Sequence, residues 1–363
     1  MEYLGKRISE NSAKEDLERL TVDAPDREIY RKVKKNWDGI AKPLDGMGKF
    51  EEITAQIGAV LGTDEIDISK KAVIIMCADN GIVEEGISQS GQEVTLAVAK
   101  EMAKGISSVG KMAAFAGAET IPVDIGINHP TPVSGVLDRK VRLGTRNFKK
   151  EPAMTEEEAL KAIFTGIQLA ADCKEKGCRM LATGEMGIGN TTTSSAVAAA
   201  LLKCSAEEVT GRGAGLCDEK LQRKKRIITE AIESYRLYEA EPLTVLATVG
   251  GLDIAGLAGV CIGGALFHIP VVLDGVISMV AGLAAERLVP GTIQYLIPSH
   301  KGKEPAVKKM TETLQMEPVI DGNMALGEGT GAVMMMSLLD MAMCVYSGKT
   351  SFSDIEIAQY ERF

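Results

Sequence analysis

The sequence predicts an α/β protein built on a doubly wound, Rossmann-like parallel sheet, and three observations carry that expectation. Short apolar runs recur at residues 72–78, 120–127, 178–183, 243–249 and 269–273, each about the length of a buried strand. Helical segments separate them, and that alternation is what parallel strands joined by crossover helices require. Glycines and carboxylates gather directly after the runs, as Asp79-Asn80-Gly81, Gly126-Ile127-Asn128, the segment 184–190, Gly250-Gly251-Leu252-Asp253 and Asp274-Gly275. In open α/β sheets ligands bind at the carboxyl ends of the strands, so together these loops describe a site, although any one alone reads as an ordinary strand-to-helix turn.

The elements follow in order. Up to about residue 57 the chain is helical and charged. It holds the lone Trp37 and the turn-rich island Lys42-Pro43-Leu44-Asp45-Gly46-Met47-Gly48 before a helix over 49–61, and it reads as an added subdomain. The clearest crossover helix starts at Thr155, where Glu158 completes a capping box, runs through Leu160, Ile163, Ile167 and Ala170, and stops at Gly177. The segment 184–193 leads into an Ala-rich helix over 194–202. Backbone N–H groups and hydroxyls therefore converge at a positive helix N-terminus, which suits a phosphate. No Gly-Lys-Ser/Thr follows its glycines and their spacing is not the dinucleotide fingerprint, which disfavours ATP and NAD. Gly211-Arg212-Gly213-Ala214-Gly215 exposes a second stretch of backbone beside a cation.

In the helix after Asp218, Leu221, Ile228, Ile232 and Tyr235 form one stripe; Lys224 falls beside it, partly sheltered or snorkelling to solvent. Residues 254–273 carry no charge and are long enough to cross a bilayer. Their Gly and Ala content, His268 and Pro270 instead read as a buried helix followed by a buried strand. Near the end, Leu326-Gly327-Glu328-Gly329-Thr330-Gly331 sets one carboxylate among glycines at the edge of the apolar run 332–339. Burial raises a carboxyl pKa and glycines admit a substrate, so Glu328 is a candidate proton acceptor; a glycine-rich turn capping a helix is the other account. The methionines Met334, Met335, Met336, Met341 and Met343 read as core or subunit-interface filler.

Composition excludes several classes. The 363 residues, 45% of them apolar, fill a sizeable core, and a net charge of −9 lacks the basic footprint of a nucleic-acid binder. Seven cysteines without a C-x-x-C pair indicate neither a disulfide framework nor a zinc site, and no His/Cys/carboxylate cluster has ligand spacing. The first seven residues are followed by a charged amphipathic stretch instead of an apolar export-signal region, so reduced thiols in the cytoplasm, with no membrane partner, are expected.

Several segments together resemble the nicotinate-nucleotide:dimethylbenzimidazole phosphoribosyltransferase family over nearly the whole chain. They are Lys42-Pro43, Cys77-Ala78-Asp79-Asn80-Gly81, Gly184-Glu185-Met186-Gly187-Ile188-Gly189-Asn190-Thr191-Thr192, Val249-Gly250-Gly251, Asp274-Gly275 and Leu326-Gly327-Glu328-Gly329. The resemblance implies a main parallel α/β domain over 66–310 and a smaller, mainly helical domain built from 1–65 and 311–363, the last also carrying the catalytic loop. It implies transfer of phosphoribose from nicotinate mononucleotide to an aromatic base without cofactor or metal, by a homodimer with active sites near the subunit interface. By position it makes Glu328 the catalytic base, with Glu185, Lys224 and Asp274 around the same pocket. Ser90, Met186 and Leu326 become contacts to the aromatic base, and Gly187, Asn190, Thr191, Gly213 and Gly215 contacts to nucleotide and phosphate.

The chain departs from that pattern at Asn80, where relatives usually carry His, in the 44–48 loop, and at 302–307. There Gly302 removes a serine hydroxyl expected near the phosphate, and Val98 replaces a polar residue of some relatives. An alternative follows from these changes: a paralogous subunit of a heterodimer using phenolic or other acceptors, itself weakly active or non-catalytic.

Overall fold

The computed structural model describes residues 12–362, together with the backbone of the strand pair Glu2–Tyr3 and Lys6–Arg7. Residues 1, 4–5, 8–11 and 363 lie outside the described residues, and with them part of the charged N-terminal stretch.

Six strands form one sheet: β1 (Lys71–Ala78), β2 (Ala118–Gly126), β3 (Leu137–Asp138), β4 (Met180–Met186), β5 (Val271–Leu273) and β6 (Leu296–Pro298). Their order is β3-β2-β1-β4-β5-β6, and every neighbouring pair is parallel. The chain leaves β1 towards β2 and β3, then returns to the other side of β1 with β4. The strand order therefore reverses between β1 and β4, and the crevice beyond their carboxyl ends is where such sheets bind ligands.

Every residue of β1 is buried, and the period of two divides them between separate cores. Ala72, Ile74, Met76 and Ala78 join one core with the helices Glu156–Glu175, Leu252–Leu266 and Val276–Leu288. Val73, Ile75 and Cys77 join the other with Arg27–Gly39, Lys49–Leu61, Ser108–Phe115 and Thr330–Gly348, so helices from both chain ends cover that face. Trp37 meets Tyr346 there at 5.2 Å between ring centroids, and Asn36 Nδ2 donates to the Tyr346 hydroxyl at 3.0 Å.

Local signals account for most boundaries. The Thr155 capping box is present, and the helix it opens ends before Gly177, which takes φ +83°. Leu252–Leu266 is buried along its whole length, as a helix apolar on all sides must be. Thr330–Gly348 is, among the described residues, the one helix long and apolar enough to cross a membrane, and half of it is buried in the protein.

Two expectations need correction. Residues 243–249 are not a strand; they lie in the helix Pro242–Val249, which starts with Pro at its first position. A short apolar run buried on all sides has no period to tell the two apart, and only the proline at N1 marked the helix start. Gly250-Gly251 therefore follows a helix. The Ala-rich helix begins at Asn190, four residues earlier than 194, because Gly189 with φ +97° turns the chain directly into it. Strands β3 and β6, of two and three residues, are too short to leave a pattern.

The two crossover helices Glu156–Glu175 and Leu252–Leu266 touch backbone to backbone. A Cβ on Gly259 would sit 1.9 Å from the Ile163 carbonyl oxygen, and one on Gly166 would sit 2.0 Å from that of Gly256. Gly259→Ala is therefore expected to lower stability by about 1–3 kcal/mol or more in denaturant titration, because overpacking must push these helices apart. Gly39→Ala, with nothing within 4 Å of the added carbon, is expected to leave the midpoint nearly unchanged.

Candidate active site

At the switch point a solvent-open cleft of about 190 Å³ is lined by the end of β4, the start of the helix Asn190–Leu202, the 213–214 loop, Asp274 to Ser278, His300, Gly302 to Glu304 and residues 324–327. It brings together Glu185, Met186, Gly187, Asn190, Thr191, Gly213, Asp274 and Leu326. Ser90, Lys224, Gly215 and Glu328 stand outside its lining. Ser90 is exposed on the loop after β1, and Gly215 accepts from Gln89 Nε2 beside an adjoining recess formed by Ser88, Gln89, Thr191 and Arg212.

Asp274 closes β5 and is fully enclosed. Its Oδ1 accepts from Gly331 N at 2.7 Å and Ala332 N at 3.2 Å, and its Oδ2 from Gly329 N at 3.1 Å. One carboxylate thus gathers the free N–H groups at the start of Thr330–Gly348, where an anion also meets the positive end of the helix. Burial pushes Asp274 up to about 6 while those N–H groups pull it down. The loop so fastened carries Glu328. Gly327, Glu328 and Gly329 take φ of +80°, +64° and +99°, and a left-handed glutamate is strained backbone held by its surroundings. The glycines are needed for close approach: a Cβ on Gly327 would lie 2.6 Å from Glu185 Oε1, and one on Gly184 would lie 2.4 Å from the Glu328 carbonyl oxygen. The half-buried Glu328 carboxylate turns aside to accept from Val109 N at 3.1 Å, in the first turn of Ser108–Phe115.

Two further carboxyls, Glu185 and Asp253, meet at the floor of the cleft. Asn190 Nδ2 donates to Glu185 Oε2 and, at 3.2 Å, to Asp253 Oδ2. Burial pushes Glu185 up to about 8, with Asp253 and then Asp274 and Glu328 adding to the rise; burial also lifts Asp253 to about 6. Two carboxylates sharing one amide nitrogen repel each other when both are ionised. Among the described residues neither makes an ion pair.

Lys224 is more deeply placed than its stripe implied: it is completely buried and its Nζ donates to Thr191 Oγ1 at 3.1 Å and to the Gly211 carbonyl at 3.2 Å. Burial lowers its pKa to about 8, partly opposed by Glu304. Glu304 Oε1 accepts from Gly213 N at 2.9 Å, which fastens the second glycine loop to the cleft. The sequence reading assigned no role to Asp253, Glu304 or His300; Asp253 and Glu304 stood in segments it had singled out. His300 is buried, with its Nδ1 3.0 Å from Ser299 Oγ.

Asp38, Asp45 and Glu51 bring three carboxylates within reach of one another elsewhere. Cations already hold them: Arg362 reaches Asp38 at 2.7 Å and Asp45 at 2.8 Å, and Lys42 reaches Glu51 at 2.6 Å. A second, more open cleft between residues 25–59 and 293–317 collects none of the predicted site residues.

A family model described as phosphoribosyltransferase matches residues 22–357. The chain belongs to this phosphoribosyltransferase family. It is 44% identical over 338 residues to the nicotinate-nucleotide–dimethylbenzimidazole phosphoribosyltransferase of Acetivibrio thermocellus, covering 92% of this chain and 96% of that one. The protein of the same name from Clostridium acetobutylicum is 41% identical, with 94% and 97% covered. Among solved structures, the enzyme of that name from Thermus thermophilus superposes with a TM-score of 0.86 at 34% identity, over 92% of this phosphoribosyltransferase and all of that chain.

The fastening of the Glu328 loop is open to direct test. Asp274→Ala removes a charged acceptor whose hydrogen bonds contribute about 1.5–3 kcal/mol each. Hydrogen exchange at the Gly329, Gly331 and Ala332 amides is expected to speed by roughly 10- to 150-fold on that basis, with Ile75 in β1 as the unchanged control.

Proposed function

We propose that this chain transfers phosphoribose from nicotinate mononucleotide to 5,6-dimethylbenzimidazole or a similar flat aromatic base, releasing nicotinate. The carrying observation is the cleft at the sheet's switch point, with a helix N-terminus on one side and the Glu328 loop on the other. A phosphate fits the half lined by the start of Asn190–Leu202, Thr191 and Gly213, where the helix N-terminus and the nearby Lys224 oppose its charge, Glu304 already holding the Gly213 N–H. Met186 and Leu326 give the opposite half apolar walls for a ring.

The chemistry needs little. The leaving group is already a pyridinium and requires no acid. The acceptor nitrogen attacks C1′ from the opposite face, turning a β-linkage into α, and the acceptor ring loses its N–H proton as it does so. Glu328 takes that proton after its carboxylate swings from Val109 N towards the cleft. Gly302, which brings no hydroxyl to the phosphate, favours the alternative of a weakly active subunit; the retained carboxyls and Lys224 favour the enzyme. Transfer by the purified chain alone decides between them. Glu328→Gln is expected to retain the fold and substrate binding while lowering turnover roughly 10²–10⁴-fold, the range for a lost general base. Unchanged turnover at saturating substrates removes Glu328 from the mechanism.

Two copies of the chain are proposed to associate through the apolar surface left by Met334, Met341 and Val345 on Thr330–Gly348 and by Phe115, which is 89% exposed. Light scattering is expected to report a dimer, and Met341→Glu to shift it towards monomer. A monomeric parent protein contradicts the assignment. The seven cysteines are free thiols, which favours a reducing, cytoplasmic compartment.

A further inference from the structure

Asp253 is a buried carboxyl that neither the transfer chemistry nor the phosphate site uses. It lies at the start of Leu252–Leu266, with Oδ1 accepting from Ile254 N at 3.0 Å and Oδ2 from Asn190 at 3.2 Å. A Cβ on Gly187 would sit 2.6 Å from its Oδ2, and one on Gly251 2.3 Å from its Oδ1, so two glycines have made room for it. The same Asn190 nitrogen holds Glu185 Oε2, while Glu185 Oε1 lies beside Gly327 at the cleft. Asn80 packs beside Asp253 against Gly187 and Gly251, and its uncharged amide helps lower the Asp253 pKa against the effect of burial. The titratable groups facing Glu185 are Asp253, Asp274 on β5, Glu328 on its loop and Cys77 on β1, with His300 across the cleft. Burial lowers the His300 pKa, so it brings no charge at neutral pH.

We infer that Asp253 is a positioning residue which, through the shared Asn190 amide, keeps a proton on Glu185, so that Glu185 meets the ribosyl donor as a hydrogen-bond donor and not as an anion. This deepens the functional reading above and rests on it. A nucleotide that carries phosphate and carboxylate groups approaches a cleft floored by acidic side chains. A neutral Glu185 removes one repelling charge and supplies an O–H to an oxygen of that nucleotide. The carboxyl near Asp253 is the one able to hold this proton, since a second negative charge on the same amide has no cation to offset it.

The experiment measures the pH dependence of kcat and KM for nicotinate mononucleotide between about pH 6 and 10, the range that brackets the Glu185 carboxyl, in the parent enzyme, Asp253→Asn and Glu185→Gln. In the parent, KM is expected to rise above about pH 8, as the proton leaves Glu185. Asp253→Asn removes the repelling charge, so this rise is expected to begin about one pH unit or more lower. Glu185→Gln keeps a donor that does not titrate, and the rise is expected to vanish. If the rise persists in Glu185→Gln it belongs to Lys224, and the inference is overturned; an unmoved rise in Asp253→Asn overturns it equally.

Infrared difference spectra of the substrate-free proteins separate the inference from the functional reading. A protonated-carboxyl band that titrates in the parent, is missing in Glu185→Gln and disappears at lower pH in Asp253→Asn supports the proton assignment. With that band present and no transfer detected, the functional reading fails and the proton assignment stands. Transfer without the band overturns the proton assignment alone.

Discussion

The Asp274 carboxylate, held at the end of β5, ties the second half of the sheet to the loop that carries Glu328. Its backbone is itself anchored, since Asp274 N donates to Thr183 Oγ1 of β4 and Ser299 Oγ donates to the Asp274 carbonyl. Three backbone N–H groups from residues 329–332 then converge on its two oxygens. A buried anion is costly unless its hydrogen-bonding capacity is filled, and here the unmet donors of a helix start fill it. The left-handed glutamate between two glycines is the conformational cost of bringing that loop against β4, and the Asp274 contacts hold it in place.

Charge divides the cleft into two unlike halves. On one side Glu185, Asp253 and Asp274 lie within a few residues of strand ends or a helix start, raised by burial and, for Glu185, by the others. On the other, the N-terminus of Asn190–Leu202 faces the opening, the Gly213 N–H is held by Glu304, and Lys224 lies buried behind Thr191. An acidic protein can in this way receive an anion: helix dipole and N–H groups draw in the phosphate, while protonation and hydrogen bonding quiet the carboxyls. The same division places a proton acceptor and an apolar wall at the end where an aromatic ring would react.

Much of this was legible in the sequence because it rests on local rules. The Thr155 capping box, the helix over 49–61 and the buried strand at 72–78 are each written in adjacent residues, and each is found. Of the glycine and carboxylate loops, 184–190 and Asp274-Gly275 line the cleft, because parallel sheets deliver strand ends to one edge, whereas 79–81, 126–128 and 250–253 do not line it. What the sequence left unread depends on distance across the fold. Residues 243–249 are helical although their composition suits a strand, since burial on every side erased the period. Full burial of Lys224 depends on the loop from Gly211, and Asp253 reaches Glu185 only through Asn190, a bridge between a strand, a helix and a second helix. The Glu328 side chain faces Val109 from 219 positions away, which no spacing rule encodes.

Under the proposed function the reacting nucleotide lies across the switch-point cleft with its two ends in these unlike halves. A crystal structure with nicotinate mononucleotide tests it most directly. Phosphate is expected at the start of Asn190–Leu202 beside Gly213, the ribose over Glu185, and the ring against Met186 and Leu326 within reach of the Glu328 loop. Nucleotide bound in the cleft between residues 25–59 and 293–317, or phosphate seated on the carboxyl side, would contradict it.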